Sequence, residues 1–245
     1  MANNFVCFKY RSIDKNTIAS LVDSSVYLAS RNALNDPFDS NIEIRKVLKR
    51  LIRDHPDKET EERYKRILSD RVFFEAYDSA FDQFGIFSVS INQLNTLMWS
   101  HYADEHRGLV LTYSFSPDFL DNPDEILGVT PVRYQDDAIS EWLREHVPLF
   151  EDDHMKFVGL LMRRILSSKA PAWRHEEEGR IIHRRQGIWE IPRNKLKQVT
   201  FGLRTSNRDE SLVRALIEKY YGSVVFARIV RSDEDFGLEL IQEGN

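Results

Sequence analysis

Leu109-Val110-Leu111-Thr112-Tyr113-Ser114-Phe115 carries no charge and is built from aliphatic, β-branched and aromatic side chains. It is the clearest strand signal in the chain. Outward toward the N-terminus, the pattern predicts a helix over about 93–104 and a second strand over 86–90. The residues before that differ in character: Ile42, Ile44, Val47, Leu48, Leu51 and Ile52 recur near helical spacing until Pro56-Asp57 breaks the run. Two more helices are expected at about 58–70 and 71–83. Residues 5–12 and 26–29 read as strands, with Asp14 capping a short helix over about 15–23. Outward toward the C-terminus, residues 128–134 read as a strand whose Pro131 suits a sheet edge. Helices follow at about 138–147 and 151–167. Strands over 180–183 (begun near Glu176), 197–201, 224–229 and 236–241 complete the β content, with a helix over about 208–220. Strands and helices do not alternate regularly, so the expected class is α+β. The expected organisation is one domain over 1–245, with helical blocks inserted at about 41–84 and 138–168.

Composition narrows the function classes. With 42% hydrophobic residues among 245, the chain can build a core and is not a disordered polymer. No uncharged stretch is apolar enough for a bilayer-crossing helix, so no membrane partner is expected. A single cysteine, Cys7, cannot form an internal disulfide, and no signal peptide precedes it; a reduced, cytoplasmic protein is expected. Cys7 itself reads as inert core. The net charge of −5 is unevenly spread. Residues 9–11 and 163–204 are basic-rich and would attract a phosphate-bearing ligand; the acidic 118–153 would not.

Four segments combine polar and aromatic residues that are costly to keep without a use. In Lys9-Tyr10-Arg11-Ser12, strand alternation sends Lys9 and Arg11 to one face and Tyr10 and Ser12 to the other. The cations there are either a solvated flank or, for Arg11, a planar clamp on phosphate or carboxylate. Asn35-Asp36-Pro37-Phe38-Asp39 predicts a rigid corner anchored by Phe38, of the kind that borders sites. In Met98-Trp99-Ser100-His101-Tyr102-Ala103-Asp104, Trp99 and Tyr102 fall on adjoining helical turns, and His101 pairs with Glu105 at i, i+4. These rings are either core, or a stacking platform with His101 as a donor. In Trp173-Arg174-His175-Glu176-Glu177-Glu178-Gly179-Arg180, an early strand start puts Glu176, Glu178 and Arg180 on one face. Two carboxylates and an arginine there would perturb each other's ionisation; the alternative is a solvated ion-pair ladder. No Gly-rich phosphate loop, metal-ligand spacing or Gly-x-Ser-x-Gly elbow is present.

Taken in order, these four segments resemble a bacterial domain family of unknown function. That family shows a Tyr-Arg-Ser-type first strand, an Asn-Asp-Pro-Phe loop, a Met-Trp-Ser-His-Tyr-Ala segment and a Trp-x-x-Glu-x-Glu-x-Arg strand. Its members are often found near abortive-infection or phage-defence genes, which implies a defence or toxin role, with an antidote protein as partner. The pattern is also distantly similar to ADP-ribosyltransferase folds, which implies a split mixed or antiparallel sheet and NAD as a substrate. On that resemblance Arg11, with Ser12, takes the first-strand position and grips the pyrophosphate. Ser88 or Ser90 (or Ser30) takes the middle position, since no Ser-Thr-Ser triplet exists. Glu178 is the catalytic carboxylate, with Glu176 positioning the acceptor. Tyr102 or Tyr27 would stack nicotinamide, and Tyr10, Asn35, His101 and Arg180 would line the pocket. The acceptor is a macromolecule, either protein or nucleic acid. A rival expectation is a nucleic-acid-binding or nuclease effector using Arg174, Arg180, His183, Arg184 and Arg185. A third is a non-catalytic ligand sensor using the same pocket.

Overall fold

The computed structural model describes residues 3–54 and 57–243. Its strands are β1 (Phe5–Arg11), β2 (Ser25–Leu28), β3 (Gly85–Ser90), β4 (Leu109–Phe115), β5 (Ile126–Pro131), β6 (Arg133–Tyr134), β7 (Ser168–Lys169), β8 (Glu178–His183), β9 (Gly187–Glu190), β10 (Leu196–Phe201), β11 (Val225–Arg231) and β12 (Leu238–Gln242). Eight of them form one sheet in the order β12-β11-β10-β4-β1-β3-β8-β5. The β10–β11 pair is parallel and the other neighbours are antiparallel, so the sheet is mixed and the class is α+β. Pro131 ends β5 at the sheet's edge, where its missing N–H costs nothing.

The central pairings position the site. β1 is laced to β4 from Phe5↔Phe115 to Arg11↔Leu109, but to β3 by the single pair Phe8↔Ser90. Beyond Phe8 the two strands part, and the sheet splits into a β12-to-β1 half and a β3-to-β5 half. One face is covered continuously across the split. Cys7, Phe87, Val89, Leu111, Ile181 and Val199 form a core there with Leu21, from the helix Lys15–Asp23, and Val213 and Ile217, from the helix Asn207–Tyr220. The other face is covered in two patches. The helices Ile44–Asp54, Lys58–Ser69, Arg71–Phe81, Ala138–His146 and His154–Leu166 pack on Ile86 and Ile182. The short helix Thr96–Tyr102 packs Met98 and Trp99 on Tyr10, Val110 and Ile229.

Local signals explain most boundaries. Asp14 accepts from Thr17 N (2.8 Å) and caps the helix Lys15–Asp23. Three expectations need correction. The helix expected over 93–104 is only Thr96–Tyr102, because Asn95 caps it late and Asp104, Glu105 and His106 turn left-handed (φ 47°, 51° and 68°). His101 and Glu105 are therefore not helical neighbours. The strand expected to begin near Glu176 begins at Glu178; Pro171–Glu176 is a 3₁₀ turn closed by Glu177 at φ 44°. Phe38 anchors nothing: it is 81% exposed, and Asp39, 2% exposed, is the buried residue of that loop. Pro56, expected to break the second helix, lies outside the described residues.

Candidate active site at the split of the sheet

Pairing runs Phe8↔Ser90 and Ser90↔Glu178 across three strands, so these side chains share one sheet face. By alternation Tyr10, Ser88 and Arg180 share it too. Arg180 is fully buried there, and a buried guanidinium must be paired. Its Nη atoms take both carboxylate oxygens of Asp39 (2.9 and 2.5 Å), and its Nε and Nη2 take both oxygens of Glu178 (2.8 and 3.0 Å). Ser40 Oγ and the Leu166 carbonyl receive the remaining contacts (3.1 and 2.8 Å).

Asp39 reaches Arg180 because its loop folds on itself: Asp36 accepts from Phe38 N (2.9 Å), and Asp39 N donates to Asp36 O (3.1 Å). A second cation, Lys169, arrives from β7 beneath Trp173. Its Nζ lies 2.5 Å from Glu176, 3.2 Å from Glu178 and 3.4 Å from Asp39. Glu176 therefore meets Glu178 through Lys169, although it sits on a turn and not on the strand. Its other oxygen accepts from Tyr102 Oη (2.5 Å), which in turn accepts from Asn35 Nδ2 (2.6 Å).

Three carboxylates thus face two firmly held cations. Burial alone would raise the Glu178 carboxyl, but Arg180 and Lys169 outweigh it and hold the group well below the usual carboxylate range. Burial likewise opposes the charge on Lys169, and Glu178, Glu176 and Asp39 more than restore it. The Tyr102 hydroxyl is pushed up by burial and by the Glu176 carboxylate it donates to. Lys9 behaves oppositely. It enters the gap where β1 and β3 part, donates to Ser88 O (2.6 Å), and lies 5.3 Å from the Phe87 ring centre. Burial, then Arg11, pull it down to about 7. Ser88 Oγ is buried without a well-formed hydrogen bond and faces Glu178.

A recess of about 80 Å³ opens at this point, lined by Lys9, Asn35, Ser88, Tyr102, Glu176 and Glu178 among others. Of the expected site residues, Glu176, Glu178, Tyr10, Asn35 and Tyr102 border it, as do the middle-strand alternatives Ser88 and Ser90. Tyr10 is committed to packing, edge-on to Trp99 and donating to Asn92 O (2.7 Å). Arg180 lies beneath the recess and is saturated. His101 is exposed and does not border it. Ser12 is spent on Asp14 at the helix cap (3.1 Å). The expected meeting of Arg11 with Glu178 does not occur. By alternation Arg11 leaves β1 on the face away from Glu178 and borders a separate hollow with Asn16, Asp23 and Tyr27; Lys9, on the same alternation, reaches the recess through the gap between β1 and β3. The basic cluster expected over 174–185 does not form a surface either, because Arg180 and His183 are buried.

Sequence reasoning missed Asp39 as the partner of Arg180, and it weighed Lys9 only as a flank. The one available signal for Asp39 was a second acid closing a strong turn. Among the described residues, no group of three His, Cys, Asp or Glu could hold a metal ion, and no helix is long and apolar enough to cross a membrane.

The geometry defines an α+β protein with a carboxylate-rich recess at a sheet split. Residues 98–181 match the model of a family described as protein of unknown function (DUF2971). That span runs from the helix carrying Tyr102 to the strand carrying Glu178 and Arg180, so the resemblance to an unknown-function domain family holds there. The Lys9–Ser12 and Asn35–Asp39 segments lie outside it. No curated protein and no solved structure gives a significant match.

Proposed function

We propose that the recess is the catalytic centre of an ADP-ribosyltransferase-like enzyme that takes NAD as donor and modifies a macromolecule. The observation that carries this reading is a buried carboxylate in excess of its cations, Glu176, held beside Tyr102 where β1 and β3 part. A net negative recess favours a cationic partner. The nicotinamide ring is one, and the ribose becomes one as that ring departs. The bond between ribose C1′ and the ring nitrogen breaks with its electron pair passing to the ring, which leaves neutral. An oxygen or nitrogen of the acceptor bonds C1′ and gives its proton to solvent. Glu176 would face the developing cation, with Tyr102 and Asn35 fixing its orientation. Glu178, locked to Arg180, holds Lys169 in place beneath it. These roles exchange those expected for the two glutamates and leave Arg11 outside the site. The recess takes only the reacting end of the donor, so the rest of NAD would cross its mouth near Lys9. The defence role and the antidote partner rest on the family resemblance, and the cytoplasmic setting rests on the single cysteine and the missing signal-peptide pattern.

Nicotinamide release from NAD, with cell lysate as acceptor source, tests the reading. Glu176→Gln should lower the rate about 100-fold, the scale of losing one transition-state electrostatic contact, with the circular dichroism spectrum unchanged. Equal release from both proteins, or none from the native chain, overturns it. A rise in melting temperature with NAD but no release would leave a ligand sensor in its place.

A further inference from the structure

A second hollow lies away from the carboxylate recess, between the start of the helix Thr96–Tyr102, the loop after β10 and the β11–β12 hairpin. It measures about 340 Å³ and is bordered by His106, Leu203, Arg204, Arg231 and Phe236. Three observations there lack a structural use, and a fourth marks a strained segment. The Arg204 and Arg231 side chains make no hydrogen bond, ion pair or ring contact among the described residues. Phe236 is fully exposed at the hairpin tip, at 107%. His106 Nδ1 is buried with no hydrogen-bond partner. The backbone carrying His106 is held in three successive left-handed conformations, which side-chain-bearing residues adopt only when their surroundings enforce them.

Here the enforcement is visible. His106 O accepts from Arg204 N (2.9 Å), its ring stacks on Trp99 at 9°, and a Cβ at Gly202 would stand 2.2 Å from His106 O. Asp235, the acid bordering the hollow, is turned back onto Gly237 N (2.6 Å). The local balance therefore stays positive. Burial and Arg204 lower the His106 pKa, so the ring stays neutral at pH 7.

We propose that this hollow binds a nucleotide, its phosphate between Arg204 and Arg231 and its base against Phe236. Planar guanidinium groups suit phosphate oxygens, and an exposed aromatic ring accepts any base face. The same chemistry is offered by a free mononucleotide and by a single nucleic-acid strand. The site is independent of the NAD reading and uses none of the residues once expected to contact nucleic acid.

Binding of adenosine monophosphate, a short single-stranded oligoadenylate and inorganic phosphate would be measured by titration calorimetry. Arg231→Ala and Phe236→Ala alter exposed side chains, so the fold should survive. Each is expected to weaken nucleotide binding about 10-fold, whereas Glu176→Gln should leave it unchanged. Binding of the monophosphate alone assigns a free nucleotide, and much tighter binding of the oligonucleotide, falling steeply with salt, assigns a nucleic-acid strand. The proposal fails if neither binds, if inorganic phosphate binds as tightly as the nucleotide, or if affinity follows Glu176 and not Arg231 and Phe236.

Discussion

Arg180 shows how one residue can look functional in sequence and serve the frame in three dimensions. Its guanidinium is wholly buried and shared between Asp39 and Glu178, with no donor turned to the recess. Removing Asp39 leaves Arg180 paired with Glu178 but strips its buried Nη donors of two charged acceptors, a loss of about 1–3 kcal/mol. Asp39→Ala should therefore lower stability by about that amount in urea unfolding; a loss under about 1 kcal/mol would contradict the assignment. Both perturbed groups make stability rise with pH, each in its own window. Glu178 ionises more readily folded than unfolded, so its contribution is present above its ordinary value of 4.5 and is lost as pH falls toward its lower native value. Lys9, at about 7 when folded against 10.5 ordinarily, binds its proton less well in the native state. Stability should then rise between pH 7 and 10.5, and Lys9→Met should flatten that rise in thermal melts.

At the scale of elements, the turn after the helix Thr96–Tyr102 decides where Tyr102 points. Gly108 closes that turn, with its N–H donating to Ala103 O (2.8 Å) and an added Cβ standing 2.1 Å from Arg11 O. Gly108→Ala cannot be absorbed by a flexible side chain, and should cost at least the ~1–3 kcal/mol typical of overpacking. Gly159 is the opposite case. It lies exposed in the helix His154–Leu166 with nothing near an added Cβ, so Gly159→Ala should stabilise by about 0.5–1 kcal/mol. Chemical denaturation of both variants checks the contrast, and equal effects would refute it. Periodicity marked most element cores, including β4 and the capped helix Lys15–Asp23. It missed the start of β8 and the short β9, because a 3₁₀ turn and a two-strand ladder depend on partners far along the chain.

For the molecule as a whole, the split does not divide the core. One face carries Cys7, Leu111 and Val199 from one half and Phe87, Val89 and Ile181 from the other in a single cluster. The helical cover is tied to the same strands through Ile86 and Ile182. Calorimetric unfolding should therefore show one transition, with calorimetric and van't Hoff enthalpies equal; two resolved transitions would mean that the halves fold separately.

The sequence by itself determined the element types, the α+β class and the four segments that matter, because these follow from side-chain period, turn chemistry and local charge. Glu176, Glu178, Asn35 and Tyr102, which border the recess, were legible as candidates for that reason. Only the tertiary structure decided which of them meet. Strand register turned Arg11 to the face opposite Glu178, and a loop 141 residues away in the chain supplied Asp39 to Arg180. Register is fixed by hydrogen bonding to neighbouring strands, and a buried cation takes whichever carboxylate the packing delivers. Neither is written in the local pattern around the residues concerned.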